Sequence, residues 1–275
     1  MYVEIRIGLS SLYELSGKEH DELYMASLYS QIANNFTKAN PDFAGFKLIL
    51  SGSRNLNKKL VREELNLARR VKQTLPDVFA GFDLVGQEDK GKPLTEFLPV
   101  LLEAKDKIDY FFHAGETNLY GTSVDENLFD AILLGSKRIG HGNALTKHPA
   151  LIQAVYKKSI AVEVNVISNS VLSLVQDLRN HPLATYLALG LPVVLSSDDP
   201  GVWGAKPLSD DFYVSFVAIA SKHADLRLLK QLALNSIKYS ALDHVGKAKL
   251  LKSFEKKWNE FIDDGFVFAV LTTES

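Results

Sequence analysis

Phe111-Phe112-His113-Ala114-Gly115-Glu116-Thr117 is the stretch on which the reading of this chain turns. Two aromatic residues carry a strand into a histidine, a glycine supplies the turn, and a carboxylic acid follows three residues after the histidine. A buried strand thus ends in groups that bind metals or move protons. The same pattern fits a core histidine capped by its own loop, so its weight depends on how the neighbouring strands end.

Those strands end in the same way. Downstream, Arg138-Ile139-Gly140-His141-Gly142 places an imidazole between two glycines, where the backbone can approach a ligand closely and the ring can serve as a base near neutral pH. The glycines also suit a plain turn. A strand expected over 161–167, with Val162, Val164 and Val166 on one face, ends in Ser168-Asn169. Pro192 to Leu195 runs into Ser196-Ser197-Asp198-Asp199-Pro200, where two adjacent carboxylates cannot both enter a core. One can bind a metal while its neighbour accepts hydrogen bonds from a substrate; an N-cap ahead of Pro200 would account for one of them.

Upstream the same unit repeats. Residues 3–7 alternate as a strand with no cap or turn before them, and a helix is expected over 19–38. Strand 46–50 is followed by helix 58–74, strand 78–85 by an amphipathic stretch over 95–105, and strand 110–113 by a helix over 126–134. Helices over 149–157 and 182–189 complete seven strand-then-helix units, spaced as βα repeats are. Residues 207–264 read as three helices, over 210–222, 225–241 and 246–264, and the apolar run 266–271 has no assigned place. Polar residues gather where strands stop: Ser53, Glu88, His113, Glu116, His141, Ser168, Asp198 and Asp199. A closed (β/α)8 barrel puts all those ends around one mouth. Seven units leave one strand to find, and the expectation is that the first barrel strand belongs before Met1.

Composition narrows the partners. The 275 residues are 46% hydrophobic with a formal net charge of −2, mixed in sign along the chain, which gives no footprint for nucleic acid or an anionic membrane and favours a small molecule. No apolar run approaches membrane-spanning length. With no cysteine, disulfides, thiolate nucleophiles and Cys-ligated zinc are excluded. His148-Pro149 and His181-Pro182 read as turn chemistry at helix starts, and His20, His223 and His244 as solvated.

Taken together, His-Ala-Gly-Glu at 113–116, Arg-Ile-Gly-His-Gly at 138–142, Glu-Val-Asn-Val-Ile-Ser-Asn at 163–169 and Ser-Ser-Asp-Asp-Pro at 196–200 resemble the adenosine deaminases. Tyr-Glu-Leu-Ser-Gly at 13–17, Gly-Phe-Asp-Leu-Val-Gly at 81–86, Asp-Leu-Arg-Asn-His-Pro at 177–182 and Asp-Phe-Tyr at 211–213 are similar to its secreted growth-factor branch, the adenosine deaminase 2 or ADGF type. The resemblance runs from about residue 2 to 264. It implies a barrel domain over 1–264 with a tail at 265–275, and zinc-dependent hydrolysis of adenosine, with 2′-deoxyadenosine, to inosine and ammonia.

By position, the resemblance makes His113 and Asp198 zinc ligands. Glu116 becomes the acid that protonates N1 of the purine, and His141 the base or electrostatic partner of the attacking hydroxide. Asp199 would hydrogen-bond N7, Gly86 would donate its backbone N–H to N3, and Glu88 would reach the ribose. The family's other two ligands are a His-x-His pair on the first strand, and no His-x-His occurs in these 275 residues. The chain alone is therefore expected to bind zinc weakly and to turn over adenosine poorly or not at all. The branch carries an N-terminal extension and signal peptide, which imply an extracellular protein that dimerises at full length. Two other readings stay open: a non-catalytic nucleoside-binding or growth-factor-like relative, and a deaminase of AMP or adenine, the former needing a cluster of Arg or Lys at the mouth.

Overall fold

The computed structural model describes the backbone of residues 1–273 and the side chains of residues 1–265. After β1 (Tyr2–Ile7), a short hairpin of β2 (Leu12–Tyr13) and β3 (Glu19–His20) precedes α1 (Glu22–Ala39). The helix begins later than residue 19 because Asp21 is its N-cap, its side chain accepting from Tyr24 N. β4 (Gly45–Ser53) leads to α2 (Lys58–Thr74), capped by Asn57, which buries Val61, Leu65, Ala68 and Val71 on one helical stripe. β5 (Phe79–Val85), α3 (Leu98–Ala104), β6 (His113–Ala114), α4 (Asn127–Leu134), β7 (Arg138–His141) and α5 (Pro149–Lys158) follow.

β8 (Ala161–Val164) is shorter than its alternating valines suggest, since α6 (Val166–Val171) starts at once. The Asp211 carboxylate accepts the Ile167 N–H at 3.2 Å, taking up a backbone donor that a longer strand would have needed in its ladder. α7 (Pro182–Ala188), β9 (Val193–Leu195), α8 (Pro200–Trp203), α9 (Ser209–Val214), α10 (Leu226–Lys238) and α11 (His244–Thr273) complete the chain. The helix expected over 210–222 is α9 continued by a π-turn at Ser215–Ile219. The backbone of α11 crosses the boundary expected at 264; the side chains of the apolar run 266–271 lie outside the described residues.

Seven strands run parallel in the order β1, β4, β5, β6, β7, β8, β9; the step from β5 to β6 is made by a bridge between Phe82 and Tyr110. This is the parallel (β/α) barrel architecture, with β1 and β9 as edges that no ladder joins among the described residues. Strand alternation sorts the side chains. Leu48, Leu50, Phe82, Leu84, Phe112, Ile139, Val162, Val164, Val193 and Leu195 face the helices and form the main core. The residues between them point inward.

Inside, five charges interlock. Arg6 of β1 reaches Asp83 of β5 at 2.7 Å and Glu163 of β8 at 2.8 Å, and donates to the Phe111 carbonyl at 3.1 Å. Arg138 of β7 holds Glu163 and Glu4, each at 2.6 Å, and donates to the Tyr239 carbonyl at 2.8 Å. Side chains from β1, β5, β7 and β8 therefore meet, so the sheet curls back on itself. Burial alone would raise the Glu163 carboxyl, but the two guanidinium groups outweigh it and hold it down at about 2.

Candidate active site

The strand ends converge as a barrel requires. Donor atoms of His113, His141 and Asp198 all lie within 4.8 Å of one another. His141 Nε2 is 3.7 Å from Glu116 Oε1 and 3.7 Å from Asp198 Oδ2, and has no hydrogen-bond partner. The four residues found from sequence thus share one small space.

Each is held from behind. His113 is buried and its Nδ1 lies 2.5 Å from Asp83 Oδ2, while its backbone N–H donates to Asp83 Oδ1 at 2.8 Å. A carboxylate on Nδ1 fixes the ring and turns Nε2 outward, the arrangement that metal-binding imidazoles use. Burial would raise Asp83, but His113 and Arg6 hold it below the usual carboxylate range. Asp198 accepts from Ser168 Oγ at 2.5 Å. Behind His141, the Asn169 amide bridges two rings, 3.2 Å from His141 Nδ1 and 3.2 Å from His181 Nε2.

The backbone is bent to fit. His141 (φ 60°) and Asp198 (φ 53°) are both left-handed without being glycine, a conformation that stores on the order of 1–3 kcal/mol each. Gly142 continues the turn at φ 56°, and a Cβ there would meet Val162 Cγ1 at 2.7 Å. The buried Tyr186 hydroxyl pins this turn by donating to the Gly142 carbonyl at 2.6 Å.

Glu116 is set apart electrically. Burial raises its carboxyl to about 7; nearby Glu88 and Asp198 add to the rise and His141 and Arg54 oppose it. Its loop is anchored by Glu88, which is buried and accepts from the Gly115 and Glu116 backbone N–H groups at 3.2 and 2.6 Å and from Asn127 Nδ2 at 2.7 Å. Fully buried Arg54, 3.9 Å from Glu88 through Nη1, donates to the carbonyls of Leu84 and His113 at 3.0 Å. Both Glu88 oxygens are thereby engaged by the protein. Gly86 is exposed with φ 106°, and Asp199 is exposed at the N-cap position of α8 but makes no side-chain capping bond.

Asp83, Ser168, Asn169 and His181 take part without having been singled out as site residues. A lone aspartate inside an apolar strand, as in Phe82-Asp83-Leu84, is the signal that could have found the first, since a buried carboxylate must have a partner. The chemistry of the set is that of a divalent cation held by imidazole and carboxylate, beside one protonatable acid and one imidazole. His113 and Asp198 fit such an ion, one with its second nitrogen already engaged, the other steadied by a hydroxyl.

The adenosine deaminase family model matches residues 1–257. Human adenosine deaminase 2 is 49% identical over 267 residues, covering 96% of this chain and 52% of that protein. An adenosine deaminase of Lutzomyia longipalpis is 48% identical over 263 residues, covering 95% and 52%. The chain thus spans about half the length of the curated relatives it matches. Among solved structures, Arabidopsis ADAL complexed with IMP superposes with a TM-score of 0.74 at 20% identity, over 94% of this chain and 73% of that one, which supports the barrel fold.

Proposed function

The chain belongs to the adenosine deaminase family, and from that premise we propose that its site serves the hydrolytic deamination of adenosine, and of 2′-deoxyadenosine, to inosine and ammonia. The observation that carries this is the Glu116 carboxyl, raised to about 7 and facing His141 Nε2 at 3.7 Å beside His113 and Asp198. C6 of a purine resists attack by water until the adjacent ring nitrogen is protonated, and an acid that keeps its proton near neutrality is suited to that transfer.

In this reading Glu116 gives its proton to N1 and water oxygen adds at C6. One water proton passes to the amine, which leaves as ammonia when the C6–N bond breaks, and the other returns to Glu116 as the C6 carbonyl forms. His141 faces the attacking oxygen, exposed Asp199 meets N7, and the Gly86 N–H meets N3. Glu88 acts through the turn carrying Glu116, because both of its oxygens are already engaged there. His113 and Asp198 would hold zinc, which when bound makes water a far stronger acid and so a usable nucleophile near neutral pH.

A catalytic zinc normally has three protein ligands. The 275-residue chain, offering His113 and Asp198, therefore binds zinc weakly and turns over slowly. An extracellular place of action and dimerisation of the full-length protein are proposed from the resemblance of the sequence motifs to the secreted branch alone; no described helix is long and apolar enough to cross a membrane.

Incubating the purified chain with adenosine and excess zinc, with inosine followed by absorbance, tests the proposal. The expected result is weak turnover that falls at least about 100-fold further in Glu116→Gln, the scale of a lost proton donor. Robust turnover at stoichiometric zinc would overturn the incomplete site. Nucleoside binding by calorimetry, with no turnover in either protein, would favour the non-catalytic reading.

A further inference from the structure

We infer that Asn169 and His181 fix the tautomer of His141, placing its ring hydrogen on Nε2, so that this nitrogen donates toward the substrate and is neither a base nor a metal ligand. The inference deepens the proposed deamination, and rests on it only for what the Nε2–H would meet.

The argument starts at the far end of the chain of contacts. The Leu183 backbone N–H donates to His181 Nδ1 at 3.0 Å, in the N-cap of α7. A nitrogen that accepts carries no hydrogen, so the hydrogen of His181 is on Nε2. Burial also pushes His181 down to about 4, which keeps the ring singly protonated at neutral pH.

His181 Nε2 meets Asn169 at 3.2 Å. As placed, the amide turns Nδ2 toward His181 and Oδ1 toward His141, and His181 would then need two bare nitrogens, a state that neither its neutral nor its charged form has. The two ends of an amide have nearly the same shape, so hydrogen bonding sets which way it lies. With the amide reversed along the same two 3.2 Å contacts, Asn169 accepts from His181 through its oxygen and offers its NH2 to His141 Nδ1. His141 Nδ1 accepts, and its hydrogen is on Nε2.

This accounts for an otherwise odd feature. His141 Nε2 is buried, has no partner, and stands 3.7 Å from both the Glu116 and the Asp198 carboxylates. An Nε2–H is drawn to the Asp198 carboxylate, whereas a bare lone pair would face it as a second acceptor. The three-way cluster of His113, His141 and Asp198 then resolves into two ligands and one donor.

Long-range proton–nitrogen correlation spectra of the 275-residue chain, 15N-labelled at its seven histidines and recorded in chelator at neutral pH, read the tautomer directly. His141→Gln and His181→Gln assign the two rings. The expected result is a bare Nδ1 and a protonated Nε2 in both, with Asn169→Asp moving the His141 hydrogen to Nδ1, since a carboxylate accepts from both sides. A hydrogen on Nδ1 of His141 in the unsubstituted chain overturns the inference, as does an Asn169→Asp protein that keeps it on Nε2. Should Asn169→Asp not fold, the unsubstituted spectrum still decides. The measurement needs neither metal nor turnover, so an inactive chain tests it equally well, and a failed deaminase assay leaves it standing.

Discussion

Low in the barrel, Arg6, Arg138, Glu4, Asp83 and Glu163 stand 2.6–2.8 Å from opposite charges. Toward the strand ends, His141 Nε2 stands 3.7 Å from Glu116 and from Asp198; His141 and Asp198 hold a left-handed backbone and Glu116 adjoins one at Gly115. The lower layer is carried by β1, β5, β7 and β8, the upper by the ends of β6, β7 and β9. The lower one matches every charge and so ties β1 to β5, β7 and β8; the upper one leaves polar atoms unengaged and stores strain. Unengaged groups under strain are what a site keeps for its substrate, and fully engaged ones are what makes such a site tolerable.

Breaking the lower layer has the largest expected effect. Glu163→Gln removes the carboxylate that the two guanidinium groups share, leaving Asp83 to Arg6 and Glu4 to Arg138, and should lower unfolding stability by roughly 3–5 kcal/mol in urea titrations. A loss below about 1 kcal/mol would mean that the layers do not differ in this way.

An intermediate effect tests the link behind His141. His181 is held at about 4 against an ordinary 6.5, so between these values the unfolded chain binds a proton that the folded chain does not. Stability is then complete above pH 6.5 and falls as pH drops toward 4, by about 3 kcal/mol in all. His181→Gln should flatten that part of the stability profile, and a profile of unchanged slope would refute the buried, singly protonated ring.

The smallest effect has the opposite sign. Glu116, at about 7 in the fold against an ordinary 4.5, favours the folded state fully below pH 4.5 and progressively less up to pH 7. Glu116→Gln removes that penalty: about 2 kcal/mol more stable at pH 8, after allowance for partial exposure, and unchanged at pH 4. A variant less stable than the parent at pH 8 would place Glu116 with the lower layer.

Periodicity made the seven βα units and the bounds of α2 legible, since local patterns of spacing and capping specify both. It misjudged β8, where Val166 keeps the alternation going although Asp211, 45 residues away, caps the helix that begins there. The polar residues at strand ends stood out because their apolar approaches are local. The roles of Asp83, Asn169 and His181 did not, because each acts on a partner 12 to 30 positions away. His181 was read as turn chemistry, which is half of what it does: its Nδ1 caps α7 while its Nε2 faces Asn169.

Gly140 closes the account of the mouth. A Cβ on it would lie 3.2 Å from the Cα, Cγ and Nδ1 of His113. A single hydrogen atom therefore acts as the gauge between β7 and the ring behind which Asp83 stands. An added methyl group at Gly140 would reset that gauge by a few tenths of an ångström and tilt the imidazole without touching any residue that handles substrate. Swapping glycine for alanine at this one position would thus work as a fine adjustment screw on the aim of His113, a way to detune the site mechanically while leaving its chemical inventory whole.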